Sequence, residues 1–466
     1  MRRIIVLALL AVVIVVAATV ADYPGRVDVT WQGWEIDTSV GVLAAALVAA
    51  AAVLWALFAL LASVMRIPRR FRRNRRERRR RAGEVVLTRG LIALAAGDAA
   101  AAQRYAGRAE TLLDRAPLPL LVAAQAAQLS GDEALARRRY TDLLAEEEGE
   151  FLGLRGLIGQ ALKAGDAEEA LRLARRARGL RPNAGWVFET LFALETRAGL
   201  WEAARETLDG GVRRHLLPEA RAAHHRGIIL YELSLAAEAV GDERHALSLA
   251  ARAAALVPEL APLATRHARL LIVGGRPRPA RRAIEKAWHA APHPELARLW
   301  AELGGGAPAL QLVTWFERLA AQNPDAGESH VAIAEAALAA QLWGEARRHL
   351  GVAITAAEPA PPSRRLCLLM ARLEGSEHPQ SSAARDWFDR ALAAPADPAY
   401  VCPSCGGESR DWQPLCGHCR GFDTLAWRPH GDGSPAVATL APPAPVAAAP
   451  LLAIPDGLAA AGQSDK

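Results

Sequence analysis

The sequence predicts an all-α chain: a two-helix transmembrane hairpin, a helix–turn–helix solenoid, a small C-terminal metal ribbon and a disordered tail. Three observations carry this expectation. Two long uncharged runs open the chain, a 34-residue period fills its middle, and four cysteines in two C-x2-C pairs stand near its end. The expected boundaries are 1–65 for the hairpin, 66–83 for a basic juxtamembrane segment, 84–395 for the repeats, 398–428 for the ribbon and 429–466 for the Pro/Ala-rich tail.

The first run, Ile4–Ala21, has 18 residues and the second, Val40–Met65, has 26; both lengths suit bilayer-crossing helices. The first would equally suit a cleaved signal peptide, since Arg2 and Arg3 precede it and Ala17, Ala18 and Ala21 end it. Eleven arginines follow the second run: Arg66, Arg69, Arg70, Arg72, Arg73, Arg75, Arg76, Arg78, Arg79, Arg80 and Arg81. Such a cluster stays on the cytoplasmic side. Both termini are therefore expected in the cytoplasm, with Trp31 and Trp34 in a short outer loop. The chain has net charge +6, yet residues 66–81 hold eleven arginines against one glutamate, so the remainder is net negative. A local patch of this kind suits anionic lipid headgroups, at about 1 kcal/mol per arginine near the surface. It argues against a nucleic-acid-binding domain, whose basicity spreads over a face.

In the middle, Gly97, Gly131, Gly165 and Gly199 are 34 residues apart, and Gly241 and Gly275 resume the spacing. An alanine follows each by five residues, at 102, 136, 170, 204, 246 and 280, and Gln341-Leu342-Trp343 with Ala346 echoes the pattern. Glycine ends the first helix of a unit by accepting a left-handed backbone. The aspartate after Gly97, Gly131, Gly165 and Gly241 caps the second helix. Alanine lets the two helices approach, and Pro182, Pro258 and Pro292 end second helices. The unit starting near Pro218 has a longer first helix, reaching Val240. Residues 363–394 should form a capping pair. Partner contacts are expected on the first helices of the units, between residues 185 and 240.

Cys402, Cys405, Cys416 and Cys419 form two knuckles ten residues apart, a spacing that wraps four thiolates around one tetrahedral ion. Zinc is the expected metal, with iron the alternative. Gly406, Gly407, Gly417 and Gly421 should supply the backbone freedom of the turns. Two disulfides would need an oxidising compartment. His418 reads as a solvent-facing neighbour rather than a ligand, Cys367 as a buried thiol, and His224 and His225 as a polar pair on a long helix. The tryptophans from Trp186 to Trp387 read mostly as packing residues. No P-loop, H-E-x-x-H, G-x-S-x-G or C-x-x-C-H motif is present, so the sequence points to no enzyme.

The 34-residue unit resembles the tetratricopeptide repeat, which implies protein binding through a concave surface. Together with the outer-loop segment Gly33–Ser39 and the ending Cys402-x2-Cys405, Trp412–Cys416-x2-Cys419, Phe422–Trp427, it resembles the HemY family. That resemblance implies a bacterial inner-membrane scaffold, non-enzymatic, recruiting cytoplasmic proteins of heme biosynthesis. The ending is also similar to the rubredoxin-like close of LapB-type proteins. This leaves two alternatives: an adaptor that presents an enzyme to a membrane protease, or an iron–thiolate redox protein.

Overall fold

The structure is a computed structural model that describes residues 25–31, 34–113 and 116–428. The first uncharged run, Ile4–Ala21, and the tail at 429–466 lie outside the described residues. The chain divides into two compact units, Met1–Asp132 and Glu133–Lys466.

The first unit opens with strands β1 (Arg26–Trp31) and β2 (Trp34–Ser39), paired antiparallel with Val29 opposite Ile36 and Trp31 opposite Trp34. The segment expected as a short outer loop thus contains two paired strands. Its sequence carries the alternation Val27, Val29, Trp31, which is a strand signal. Helix α1 (Val40–Ala95) follows directly. Its first part, Val40–Leu60, is long and apolar enough to cross a membrane. Side chains such as Val48, Leu54, Trp55 and Phe58 are exposed along it. None of that span is buried among the described residues. Helix α1 runs without interruption through the arginine-rich stretch into the first repeat. Gly97, at φ +79°, ends the turn, and Asp98 accepts the Ala101 N–H at 2.8 Å to cap α2 (Ala99–Leu113). Helix α3 (Pro117–Leu129) completes a core of Leu87, Ala106, Ala109, Val122 and Ala123.

The second unit begins with α4 (Glu133–Leu143). Seven helix pairs follow: α5 (Glu150–Ala164) with α6 (Ala167–Leu180), α7 (Gly185–Arg197) with α8 (Trp201–Arg213), α9 (Glu219–Ala239) with α10 (Glu243–Leu256), and α11 (Ala261–Val273) with α12 (Pro277–Ala290). The last three are α13 (Pro294–Leu303) with α14 (Ala309–Ala320), α15 (Gly327–Ala339) with α16 (Trp343–Ala356), and α17 (Arg364–Glu377) with α18 (Ala383–Ala393). The glycines of the period all have positive φ, and Gln341 takes the same conformation at φ 60°. Ala136, Ala170, Ala204, Ala246, Ala280 and Ala346 are fully buried. Asp166 and Asp242 cap α6 and α10 by accepting backbone N–H groups at 3.0 Å. At 21 residues, α9 is the long helix expected near Pro218.

Beyond α18 the backbone turns back. Arg365 N–H donates to Asp397 Oδ1 at 2.7 Å, which starts the return. Strand β3 (Ala399–Val401) then pairs antiparallel with β4 (Glu408–Ser409) on one side and β5 (Ala426–Arg428) on the other.

Candidate metal centre and its seat on the repeats

The two cysteine pairs sit on matching turns. Cys402 N–H donates to Gly407 O and Gly406 N–H to Cys402 O, both at 2.8 Å. In the second knuckle Cys416 N–H donates to Gly421 O and Arg420 N–H to Cys416 O, both at 2.9 Å. Two turns of one design thus present four sulfurs to a common centre. The glycine expectation needs correcting in part. Gly406 does need its positive φ of 71°, but the equivalent left-handed position in the second knuckle is Arg420, at φ 55°, and not a glycine. Gly407 and Gly421 are required for space instead. A Cβ at Gly407 would lie 2.6 Å from the His418 ring, and one at Gly421 would lie 2.8 Å from Thr424. Gly417 has open space around it and no positive φ among those recorded.

Sγ of Cys402 and Cys419 are 3.7 Å apart, as are those of Cys405 and Cys416, and all four sulfurs lie within 4.8 Å of one another. A tetrahedron with metal–sulfur bonds of about 2.3 Å has edges of about 3.8 Å. The four side chains therefore fit one tetrahedral cation. Burial works against ionising Cys402, yet hydrogen bonds from Thr424 and the Cys405 and Ser404 amides bring its thiol down to about 6. Burial pushes the Cys419 thiol up, so its thiolate calls for a nearby positive charge. A thiolate set of this geometry suits zinc or iron.

The ribbon does not extend past the last helix pair. It lies back across the first helices of several pairs. Tyr400 Oη is 3.2 Å from His293 Nε2, just before α13, and Trp427 meets the same imidazole with ring centroids 4.4 Å apart. Trp412 packs edge-on to Tyr231 of α9 at 5.3 Å. Phe422 sits among Phe192 of α7, His225 of α9 and Trp201, at 5.4, 5.3 and 6.4 Å. Asp423 reaches His224 Nε2 at 3.1 Å and His225 Nε2 at 3.6 Å, and Arg420 donates to Arg197 O at 3.2 Å. Cys402 and Cys416 belong to the same buried cluster as Phe192, Ile228 and Leu233. The cysteine knuckles and the repeats thus share one core.

Within the stretch 185–240, where partner contacts are expected, Phe192, Arg197, Trp201, His224, His225 and Tyr231 meet the chain's own ribbon. His224 and His225 are polar as expected, but they hold the ribbon. Asp423 raises the His224 pKa by its hydrogen bond and charge, while burial lowers that of His225. Nothing in the local sequence marked Asp423 or Phe422 as docking residues, because their partners lie about two hundred positions away. Other expectations hold. His418 is exposed, Cys367 is buried with its thiol pushed up by burial, and Trp288 and Trp300 are fully buried. Of the arginine patch, Arg75, Arg76 and Arg78 to Arg81 are exposed; the side chains of Arg66, Arg69, Arg70, Arg72 and Arg73 lie outside the described ones.

Comparison with known proteins adds the family. The HemY protein N-terminus profile matches residues 25–131, which is nearly all of the described first unit. The probable magnetosome protein Mms48 of Magnetospirillum gryphiswaldense is 30% identical over 447 residues, covering 92% of this chain and 93% of the relative. The chain is a HemY-type tetratricopeptide-repeat protein, of one family with Mms48. Among solved structures, a tetratricopeptide repeat protein from Parabacteroides merdae matches the HemY-type chain at 13% identity and TM-score 0.29, over 67% of this chain and 99% of that one. The TPR2AB-domain:pHSP90 complex of yeast Sti1 matches at 14% identity and TM-score 0.28, over 67% and 98%.

Proposed function

We propose that this HemY-type protein is a non-enzymatic, membrane-anchored scaffold. One observation supports it most. A single helix, α1, carries an exposed apolar span, then exposed arginines, then the first turns of the repeat array. A span fused to a repeat without a flexible joint would hold that repeat at the membrane surface, with Arg75 to Arg81 against anionic headgroups. Positive-inside asymmetry then puts the repeats in the cytoplasm of the bacterial inner membrane. With Ile4–Ala21 as a second span, both termini are cytoplasmic. The four cysteines bind one zinc ion, which folds the ribbon. Proteins are the ligands of the repeats, and the HemY family context points to enzymes of tetrapyrrole synthesis.

Two measurements test this reading. A reporter active only outside the cytoplasm, fused after residue 85, should be silent; activity there overturns the topology. Affinity capture of intact membrane complexes should return heme-pathway enzymes. Recovery of a membrane protease with its substrate would instead favour the adaptor reading. Red protein with a ferric tetrathiolate spectrum would replace zinc by iron and favour a redox role.

A further inference from the structure

On the second helices of two successive pairs, Arg175 and Arg178 of α6 face Arg213 and Arg214 at the end of α8 across a cavity of about 550 Å³. That volume lies within the roughly 300–1,000 Å³ of ordinary ligand sites. Elsewhere in this unit arginines meet carboxylates: Arg172 with Glu169, Arg176 with Glu150, Arg266 with Glu238, Arg365 with Glu328 and Glu335. At the cavity they largely do not. Arg178 donates to the Thr207 hydroxyl at 3.1 Å, and Arg214 to the Gly210 carbonyl of its own helix at 3.0 Å. Arg175 comes within 4.0 Å of the buried Glu195 carboxylate. For Arg213 no ion pair is recorded among the described residues.

The charges can be counted. Two carboxylates line the cavity, Glu206 and Asp209, and Asp209 is taken by Arg226 at 2.9 Å. The C-terminal ends of α6 and α8 each bring about half a negative charge. Four guanidinium groups against Glu206, Glu195 and two helix ends leave an excess of about one positive charge. Planar forks without carboxylates are built for bidentate anion contacts.

We propose that this cavity is a docking site for an acidic peptide segment, taking a carboxylate side chain of a protein partner. The peptide nature of the ligand rests on the scaffold reading above; the demand for negative charge does not. The site is lined mainly by the second helices, with Val187 and Phe188 of α7, and no residue of the ribbon lines it, so it stays open while the ribbon is seated.

The test uses the full-length protein in nanodiscs, with hexaglutamate as probe and site-resolved hydrogen exchange as readout, because the juxtamembrane arginines would also attract the peptide. Hexaglutamate should slow exchange of amides in 176–182 and 207–216 roughly tenfold at saturation, and hexaglutamine should not. Arg175→Gln with Arg213→Gln should abolish that protection. Arg244→Gln with Arg282→Gln, which removes the same charge from exposed helix surface, should leave it. No protection in the parent protein overturns the site, as does equal loss in both double variants. If inorganic phosphate displaces hexaglutamate at lower concentration than free glutamate does, the occupant is a phosphate and the peptide assignment fails. None of these failures bears on the capture experiment, so the scaffold reading stands or falls separately.

Discussion

His224 Nε2 and Asp423 Oδ2 are 3.1 Å apart, although 198 residues separate them in the chain. The contact ties the second cysteine knuckle to the longest helix of the array. Asp423 sits four residues after Cys419, with φ 55° and its N–H donating to Pro414 O at 2.8 Å. The turn that presents the carboxylate is therefore the turn that carries Cys416 and Cys419.

Asp423→Asn separates docking from metal binding. Asparagine keeps the left-handed backbone preference and removes the charge. The charge-assisted bond to His224 is lost, at a cost of about 1.5–3 kcal/mol. Metal content should stay at one ion per chain, while hydrogen exchange in 220–231 and 420–425 accelerates. Loss of metal in this variant would mean that Asp423 supports the knuckle itself rather than its seat.

The repeats, by contrast, can be tested by volume. Ala246 is fully buried where α9 and α10 approach, and Ala236 on α9 is exposed. Ala246→Leu should destabilise by about 1–3 kcal/mol through overpacking. Ala236→Leu should change stability by under about 0.5 kcal/mol. Denaturant midpoints of the two variants check this; equal midpoints would show that the helix pair opens to take the larger side chain.

That contrast also explains what was legible in the sequence. A repeat writes its geometry in every unit, so Gly165, Gly199 and Gly241 announced left-handed turns and Ala170, Ala204 and Ala246 announced close helix contacts. Gln341 was readable only because Leu342, Trp343 and Ala346 kept the register around it. The cysteines were readable because a four-thiolate shell leaves few spacings. The seat of the ribbon was not, since Phe422 against Phe192 or Tyr400 against His293 is a single long-range match with no period behind it. The β1–β2 pair did leave a signal, in Val27, Val29 and Trp31, but two strands between apolar runs look much like a polar loop.

Metal removal should therefore be felt on the repeats. Changing Cys402, Cys405, Cys416 or Cys419 to serine is expected to abolish stoichiometric metal and unfold the ribbon, since its small core cannot hold without the ion. Phe192, Trp201 and Tyr231 then lose their cover, and exchange in α7 and α9 should rise together with dye binding to apolar surface. Cys367→Ser should retain full metal. Unchanged exchange in α9 after metal loss would show that the ribbon stays seated by its repeat contacts alone.

Acid should unseat the ribbon through His293. Its Nδ1 accepts the Glu295 N–H at 3.2 Å at the start of α13, so the ring proton is on Nε2, which faces Tyr400 Oη. Protonating Nδ1 breaks the cap. Burial, reinforced by Arg298, holds the His293 pKa down to about 4. A depressed histidine is neutral in both states above pH 6.5, so stability is intact there. As pH falls from 6.5 toward 4 the unfolded form takes up the proton first, and about 3 kcal/mol of seating is lost. His224 works in the opposite sense. Asp423 raises its pKa, so its contribution is full below 6.5 and fades as pH climbs through the raised value. Seating should therefore be strongest near pH 6.5. His293→Gln should flatten the acid limb and His224→Gln the alkaline limb, read as exchange protection of 420–425 against the parent at each pH. Because the thiolates release metal in acid in every variant, only the difference from the parent counts. If His293→Gln follows the parent from pH 6.5 to 4, the acid response belongs to the metal centre or to His225, which burial also holds down, and not to His293.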